Sequence, residues 1–230
     1  MDRNEIMRRA KWPLIFLLVA AGVAGAILYY YYFIRIEPGP LLESALSQAH
    51  QAKSYSYTLD SELDIGGKKQ KWIQVQGQQA AESYHFQGET LGTPVEIYQI
   101  GMRSYTKDPV SGKWTILDGV DLSTQQLYMA EIDPLSSFQF KNIGEPLLLG
   151  KEDVGNIKCA LLELEQPKVE SKYMEIWWKD FTYRFWIDRR KEQLVKAEIT
   201  AVSTQSRDTS LTMTVDFKDF NRKIKINPPI

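Results

Sequence analysis

Residues 54–65 read "SYSYTLDSELDI". Tyr55, Tyr57, Leu59, Leu63 and Ile65 keep one phase of a two-residue period, and Ser54, Ser56, Thr58, Asp60, Glu62 and Asp64 keep the other. Successive side chains of a strand point to opposite faces, so this is a long strand with one apolar and one wet face. "GGKK" (Gly66 to Lys69) permits positive φ at its two glycines and reads as a turn. "KWIQVQGQ" (Lys71 to Gln78) then returns antiparallel. "SYHFQ" (Ser83 to Gln87), "PVEIYQI" (Pro94 to Ile100) and "RSYTK" (Arg103 to Lys107) extend the pattern into a meander, with "DPVSGKW" (Asp108 to Trp114) as a hairpin turn.

Further along, "LSTQQLYMAEIDPLSSFQF" (Leu122 to Phe140) loses the alternation and reads as one or two short helices, Pro134 opening the second. Strands resume with "IKCALLELEQP" (Ile157 to Pro167). "SKYMEIWWKDF" (Ser171 to Phe181) carries Met174, Trp177, Trp178 and Phe181 at helical spacing and fits a short helix or a loop. Three strands close the chain. Tyr183, Phe185 and Ile187 share one face of the first, Val195, Ala197, Ile199 and Ala201 one face of the second, and Leu211, Met213, Val215 and Phe217 one face of the third.

Towards the N-terminus, Leu41, Leu42, Ala45, Leu46 and Ala49 form an apolar stripe at helical spacing, with Pro40 placed to start the helix. Before "RIEPGP" (Arg35 to Pro40), a short linker, runs "PLIFLLVAAGVAGAILYYYYFI" (Pro13 to Ile34), which has no charged residue. As a helix it would be roughly 33 Å long, enough for a bilayer core of about 30 Å. Trp12 and the tyrosines 29–32 suit the two interfaces. Arg3, Arg8, Arg9 and Lys11 precede the run and only Arg35 closely follows it, which puts the N-terminus in the cytoplasm. Cleavage near "AGVAGA" (Ala21 to Ala26) is the competing reading, but the apolar run continues eight residues beyond it. The organisation expected is a tail (1–12), a single-pass signal anchor (13–34), a linker (35–40) and one extracytoplasmic domain (41–230).

Lys and Arg number 28 against 29 Asp and Glu, mixed throughout, which argues against a nucleic-acid surface. The one cysteine, Cys159, excludes an internal disulfide, and with two separated histidines it argues against a soft-ligand metal site. Cys159 lies among apolar strand residues and reads as a small hydrophobe. His85 reads as a packed strand residue and Asp188 as a turn residue or ion-pair partner. No nucleophile elbow, H-E-x-x-H or phosphate-cradling loop is present, so neither an enzyme nor a cofactor is expected.

One antiparallel sheet of roughly eight to eleven strands, covered on one face by helices, is the economical arrangement, and a sheet that wide tends to curl. On these residues the chain resembles the LolA/LolB/LppX-like superfamily of bacterial extracytoplasmic lipoprotein and lipid carriers. The likeness rests on "YSYTLDSELDI", on "CALLELEQP", on Trp186-Ile187-Asp188 turning into Leu194 to Glu198, and on Asp216-Phe217 with Asn221, Ile226 and Pro229. It covers about Pro40 to Pro229. It implies an α+β fold: a strongly curved antiparallel half-barrel whose concave face is covered by helices, with an apolar cavity between them. The anchor departs from that pattern, because the soluble carriers are released or lipidated.

The resemblance implies that Tyr55, Tyr57, Leu59, Leu63, Tyr183, Phe185, Ile187, Val195, Ile199, Met213, Val215 and Phe217 line a lipid cavity. Met174, Trp177, Trp178 and Phe181 would stand at its mouth. The expected partners are a membrane lipid or a lipoprotein, with a membrane protein as a further candidate, at the bacterial cell membrane. Ten buried methylenes would contribute roughly 8 kcal/mol before association costs. From alternation alone, a core filled by the chain's own side chains fits the same rows. An envelope sensor acting through a membrane partner, and a structural subunit of an envelope assembly, are the readings that compete with the carrier.

Overall fold

The computed structural model describes residues 16–17, 19–25, 36–120, 133–169 and 172–230. The tail 1–12, Trp12, the tyrosines 29–32 and any helix within 121–132 lie outside the described residues. The chain divides into two units, Met1–Glu37 and Pro38–Ile230. In the first, residues 16–17 and 19–25 are helical, and Phe16, Leu17, Val19 and Val23 are all exposed. Among the described residues no helix is long and apolar enough to cross a membrane.

The second unit starts with helix α1 (Pro38–His50). It begins two residues before the Pro40 start expected from sequence. Pro38, Gly39 and Pro40 occupy its first turn, where a missing N–H costs nothing because no helical acceptor faces it. Leu42, Ala45, Leu46 and Ala49 are buried, the inner four of the five stripe residues.

Then come β1 (Ser54–Ile65), β2 (Lys68–Ala80), β3 (Ser83–Thr90), β4 (Thr93–Ile100), β5 (Arg103–Lys107) and β6 (Trp114–Asp118). A 3-10 turn (Pro134–Phe138) leads to β7 (Phe140–Asn142), β8 (Leu147–Val154), β9 (Ile157–Glu165) and β10 (Lys168–Val169). Helix α2 (Lys172–Trp177) precedes β11 (Trp178–Asp188), β12 (Gln193–Ser203) and β13 (Thr209–Lys218). Eleven strands form one sheet in the order β6-β5-β4-β3-β2-β1-β13-β12-β11-β9-β8, while β7 and β10 pair separately. Every pairing is antiparallel. Among the described residues the order ends at β6 and β8, which do not pair with each other, so the sheet they form is open.

Local chemistry fixes the turns and ends. Gly66 and Gly67 take φ of 60° and 82°, and Asp64 Oδ1 accepts the Gly67 N–H at 2.8 Å. Asp188 Oδ1 accepts the Arg190 N–H at 2.8 Å, so this residue holds the β11–β12 turn. Asn221 ties the segment after β13 to the start of β1: its Oδ1 accepts the Lys53 N–H at 2.8 Å, and its N–H donates to Ser54 O at 2.8 Å.

Candidate functional site

Register assigns the inner face. Tyr57, Leu59, Ser61 and Leu63 of β1 stand opposite Phe217, Val215, Met213 and Leu211 of β13. Ala197 and Ile199 of β12 stand opposite Val215 and Met213 on one side and Phe185 and Tyr183 of β11 on the other. Leu164, Leu162 and Ala160 of β9 complete the rows against Tyr183, Phe185 and Ile187. The structure thus brings Tyr55, Tyr57, Leu59, Tyr183, Phe185, Ile187, Ile199, Met213, Val215 and Phe217 together as one buried surface. Leu63, near the hairpin end of β1, is only half-buried.

Val195 departs from the row read in the sequence. The β11–β12 register shifts between Trp186 and Ile187, so Ile187 faces Leu194 and Trp186 faces Lys196. This bulge puts Val195 on the outer side, where it packs with Cys159 and Trp186, and gives its inner place to Leu194. A one-residue slip moves a side chain to the other face, which strict alternation cannot foresee. Burial pushes the Cys159 thiol up to about 11.

What lies on the inner surface is equally specific. Phe138, at the end of the 3-10 turn, sits edge-on to Tyr183, Phe185 and Phe217, with centroids 6.2, 5.8 and 6.3 Å away. Phe140 of β7 meets Tyr183 edge-on at 5.0 Å. Edge-to-face pairs match a positive ring edge to a negative face and add about 0.5–1.5 kcal/mol each beyond area burial. Helix α1 packs on β12, β11 and the 3-10 turn. Ala45 and Ala49 on the helix and Ala197 and Ala201 on β12 leave room for that close approach. This half of the inner surface is therefore filled by the chain itself.

The turn is held by polar pins. The Tyr55 hydroxyl donates to Asp133 Oδ1 at 2.8 Å. Burial raises the pKa of Tyr55, and Asp133 raises it further. Asp133 is also raised by burial, against the opposing pull of the Tyr55 hydroxyl and His50. His50, at the end of α1, places Nδ1 2.8 Å from Leu46 O and Nε2 3.2 Å from Leu135 O, joining helix to turn. Beside these residues lies a cavity of about 630 Å³ between α1 and the segment 138–144, lined in part by Glu43, Leu46, His50, Phe140 and Ile143.

The mouth candidates divide. Trp177 ends α2 and is 45% exposed. Met174 is half-buried, and Phe181 is buried 6.1 Å from Tyr183. Trp178 opens β11, and its ring lies 6.4 Å from that of Trp72 on β2. Those strands are four steps apart in the sheet order, roughly 19 Å in a flat sheet at about 4.8 Å per step. Side chains stand nearly perpendicular to a sheet, so two indoles meet over that span only if the sheet curls between them. The contact therefore measures curvature at this rim.

Trp72, Phe138, Phe140, Asp133 and Leu194 carry this arrangement and were not singled out from sequence. Trp72 sits where the β1–β2 register shifts, and Phe138 sits in a turn with no period to read. The eleven strands match the upper end of the range expected, but β8 has no counterpart among the strands read from sequence, because the run Leu147-Leu148-Leu149 hides the alternation.

No protein-family model matches the chain, and no curated protein does. Solved structures do. Lipoprotein LppX of Mycobacterium tuberculosis superposes with a TM-score of 0.56 at 13% identity, over 82% of this chain and 98% of that one. LprF of Mycobacterium bovis superposes with a TM-score of 0.53 at 11% identity, over 84% and 99%. The chain has an LppX-like fold, as its motifs suggested.

Proposed function

We propose that this chain is a membrane-anchored, extracytoplasmic binding protein, non-catalytic, that holds the acyl chains of a lipid or lipoprotein on the inner face of its curved sheet. The observation that carries the reading is the Trp72–Trp178 contact across four strand steps. It supports an apolar surface curled on itself, and the LppX-like fold supports the same use. Phe138 and Phe140 occupy the position an acyl chain would take against Tyr183, Phe185 and Phe217. Binding therefore requires the 3-10 turn to swing out and exchange ring contacts for methylene contacts. At about 0.8 kcal/mol per methylene, a chain of ten or more offsets the loss of a few ring contacts.

The anchor belongs to the same proposal. The uncharged run 13–34 is long enough to span, and its described large side chains are exposed. Exposed apolar groups all round a helix suit hydrocarbon.

The test is mass spectrometry of lipid extracted from the native full-length protein, with intact-mass measurement of its N-terminus. Stoichiometric lipid on an uncleaved chain supports the proposal. A lipid-free protein would favour the second reading, an envelope sensor acting through a membrane partner. The filled α1–Phe138 half speaks for that reading, because a sensor needs no hollow.

A further inference from the structure

The outer face of the sheet holds a second feature that acyl binding does not use. A groove of about 600 Å³ crosses β1 to β5 and is walled by the turn after β5. That volume is within the range of small-molecule sites. Its floor is a ladder in register: Thr58 opposite Gln76, Gln76 opposite Gln87, and Gln87 opposite Glu96. Asp60 and Gln74 form the next pair.

The charges in this groove are already committed. Lys107 Nζ donates to Glu96 Oε2 at 2.7 Å, and His85 Nε2 lies 3.7 Å from Glu96 Oε1. His85 stacks on Tyr98 at 3.9 Å, Tyr98 meets Trp114 edge-on at 5.6 Å, and Lys107 lies 5.4 Å over Trp114. This buttress fixes the Glu96 carboxylate at the end of the ladder. Asp60 Oδ1 accepts from Gln74 Nε2 at 2.9 Å. Asp108 Oδ1 accepts the Ser111 N–H at 2.6 Å and the Ser111 hydroxyl at 2.7 Å within its own turn.

What the groove still offers a ligand is the exposed amides of Gln76 and Gln87, the Thr58 hydroxyl and the free acceptor positions of Glu96 and Asp60. Each amide presents donors and an acceptor in one plane, a spacing that suits neighbouring hydroxyls. A phosphate would face three carboxylates against one lysine. The exposed floor between the carboxylates is amide, which pairs with hydroxyls through both a donor and an acceptor. We propose that this groove binds a neutral, polyhydroxylated ligand, a glycan, independently of the inner face.

The experiment is calorimetric titration of the full-length protein in a detergent without a sugar head group. The probes are maltotetraose and chitotetraose for free glycan, phosphatidylcholine vesicles with and without digalactosyl diacylglycerol for a glycolipid head group, and tetralysine and inorganic phosphate as charged controls. Saturable binding of an oligosaccharide, or of vesicles only when they carry the glycolipid, is expected, and which arm responds identifies the source. The variant carrying Gln76→Ala and Gln87→Ala should bind at least tenfold more weakly with an unchanged circular-dichroism spectrum. Should that variant misfold, the single exposed change Gln87→Ala must give a several-fold loss. Silence in both glycan arms, binding of tetralysine or phosphate instead, or undiminished binding in the folded variant overturns the proposal. None of these outcomes bears on lipid at the inner face.

Discussion

The two halves of the sheet's inner face share one alternation and differ in what fills it. On β1, β13, β12, β11 and β9 the inward rows are aromatic and aliphatic, and Phe138, Phe140 and α1 close over them. On β2 to β5 the inward positions include Gly77 and Gln79, then Gly88, then Gln99 and Ser104. Gln99 and Ser104 are buried, and the Ser104 and Gln79 side-chain oxygens that carry no hydrogen bond, Oγ and Oε1, are buried as well. Interlocking rings make one half rigid. In the other, glycines and polar groups interrupt the buried Ile73, Val75, Phe86 and Ile97, and a buried polar atom without a partner costs roughly 1–3 kcal/mol. The same period therefore builds a packed core at one end and a less settled wall at the other.

The largest expected effect tests the packed end. Phe138→Ala removes three edge-to-face partners from a fully buried site, and large aromatic truncations in cores cost about 3–5 kcal/mol. Urea unfolding should show that loss. If Phe138 stands where an acyl chain binds, the same variant should carry more co-extracted lipid than the wild type when both are folded. A destabilised variant with unchanged or lower lipid content would make Phe138 a core residue only.

The less settled wall breaks differently. Gly77 faces Tyr57 directly across β1 and β2, and a Cβ there would strike the Tyr57 ring. That ring is itself fully buried and has nowhere to go, so Gly77→Ala should cost about 1–3 kcal/mol by overpacking. Tyr57→Phe with Gly77→Ala should recover little, because the ring carbons Cζ and Cε1 still meet the new Cβ once the hydroxyl, which it also strikes, is gone. Full recovery in that pair, again by urea unfolding, would show a flexible wall.

How far this contrast was legible follows from its causes. The packed half could be read because burial on one face writes itself into β1, β11 and β13 as strict alternation. Phe138 could not, because its place is set by the tertiary position of a turn. Val195 misled because a bulge inverts phase within a strand whose residues look regular. The Trp178 half of the rim contact stood out as an unusual pair of tryptophans. Its partner Trp72 did not, since curvature brings together strands far apart in sequence. The outer groove left no motif at all: its glutamines look like an ordinary solvated face until register lines them up.

Chemistry on the outer face gives a smaller test. With its thiol pushed up to about 11, native Cys159 should be thiolate in only about one molecule in a thousand at pH 8, and thiolate is the reactive form. An aromatic disulfide reagent should therefore label it only on unfolding. Rapid labelling of the native protein would mean that the Cys159–Trp186–Val195 cluster opens readily.

The smallest effect separates the outer buttress from both halves of the inner face. Burial lowers the pKa of His85, outweighing the opposite pull of Glu96. The unfolded chain then takes up a proton at this site more readily than the folded one. The penalty is absent above the unfolded value of about 6.5 and grows as the pH falls through it towards the lower folded value. Stability should accordingly decline on acidification below about 6.5, and His85→Gln should flatten that part of the profile while leaving stability at pH 8 nearly unchanged. Half-buried Asp133 has the opposite sign. Its folded pKa is raised, so its penalty lies above that pKa and is relieved as the pH falls through it. A profile in which His85→Gln changes nothing below 6.5, while Asp133→Asn reshapes it, would place the titrating element at the Tyr55–Asp133 pin on the inner face, where acid stabilises, and leave the outer buttress as passive packing.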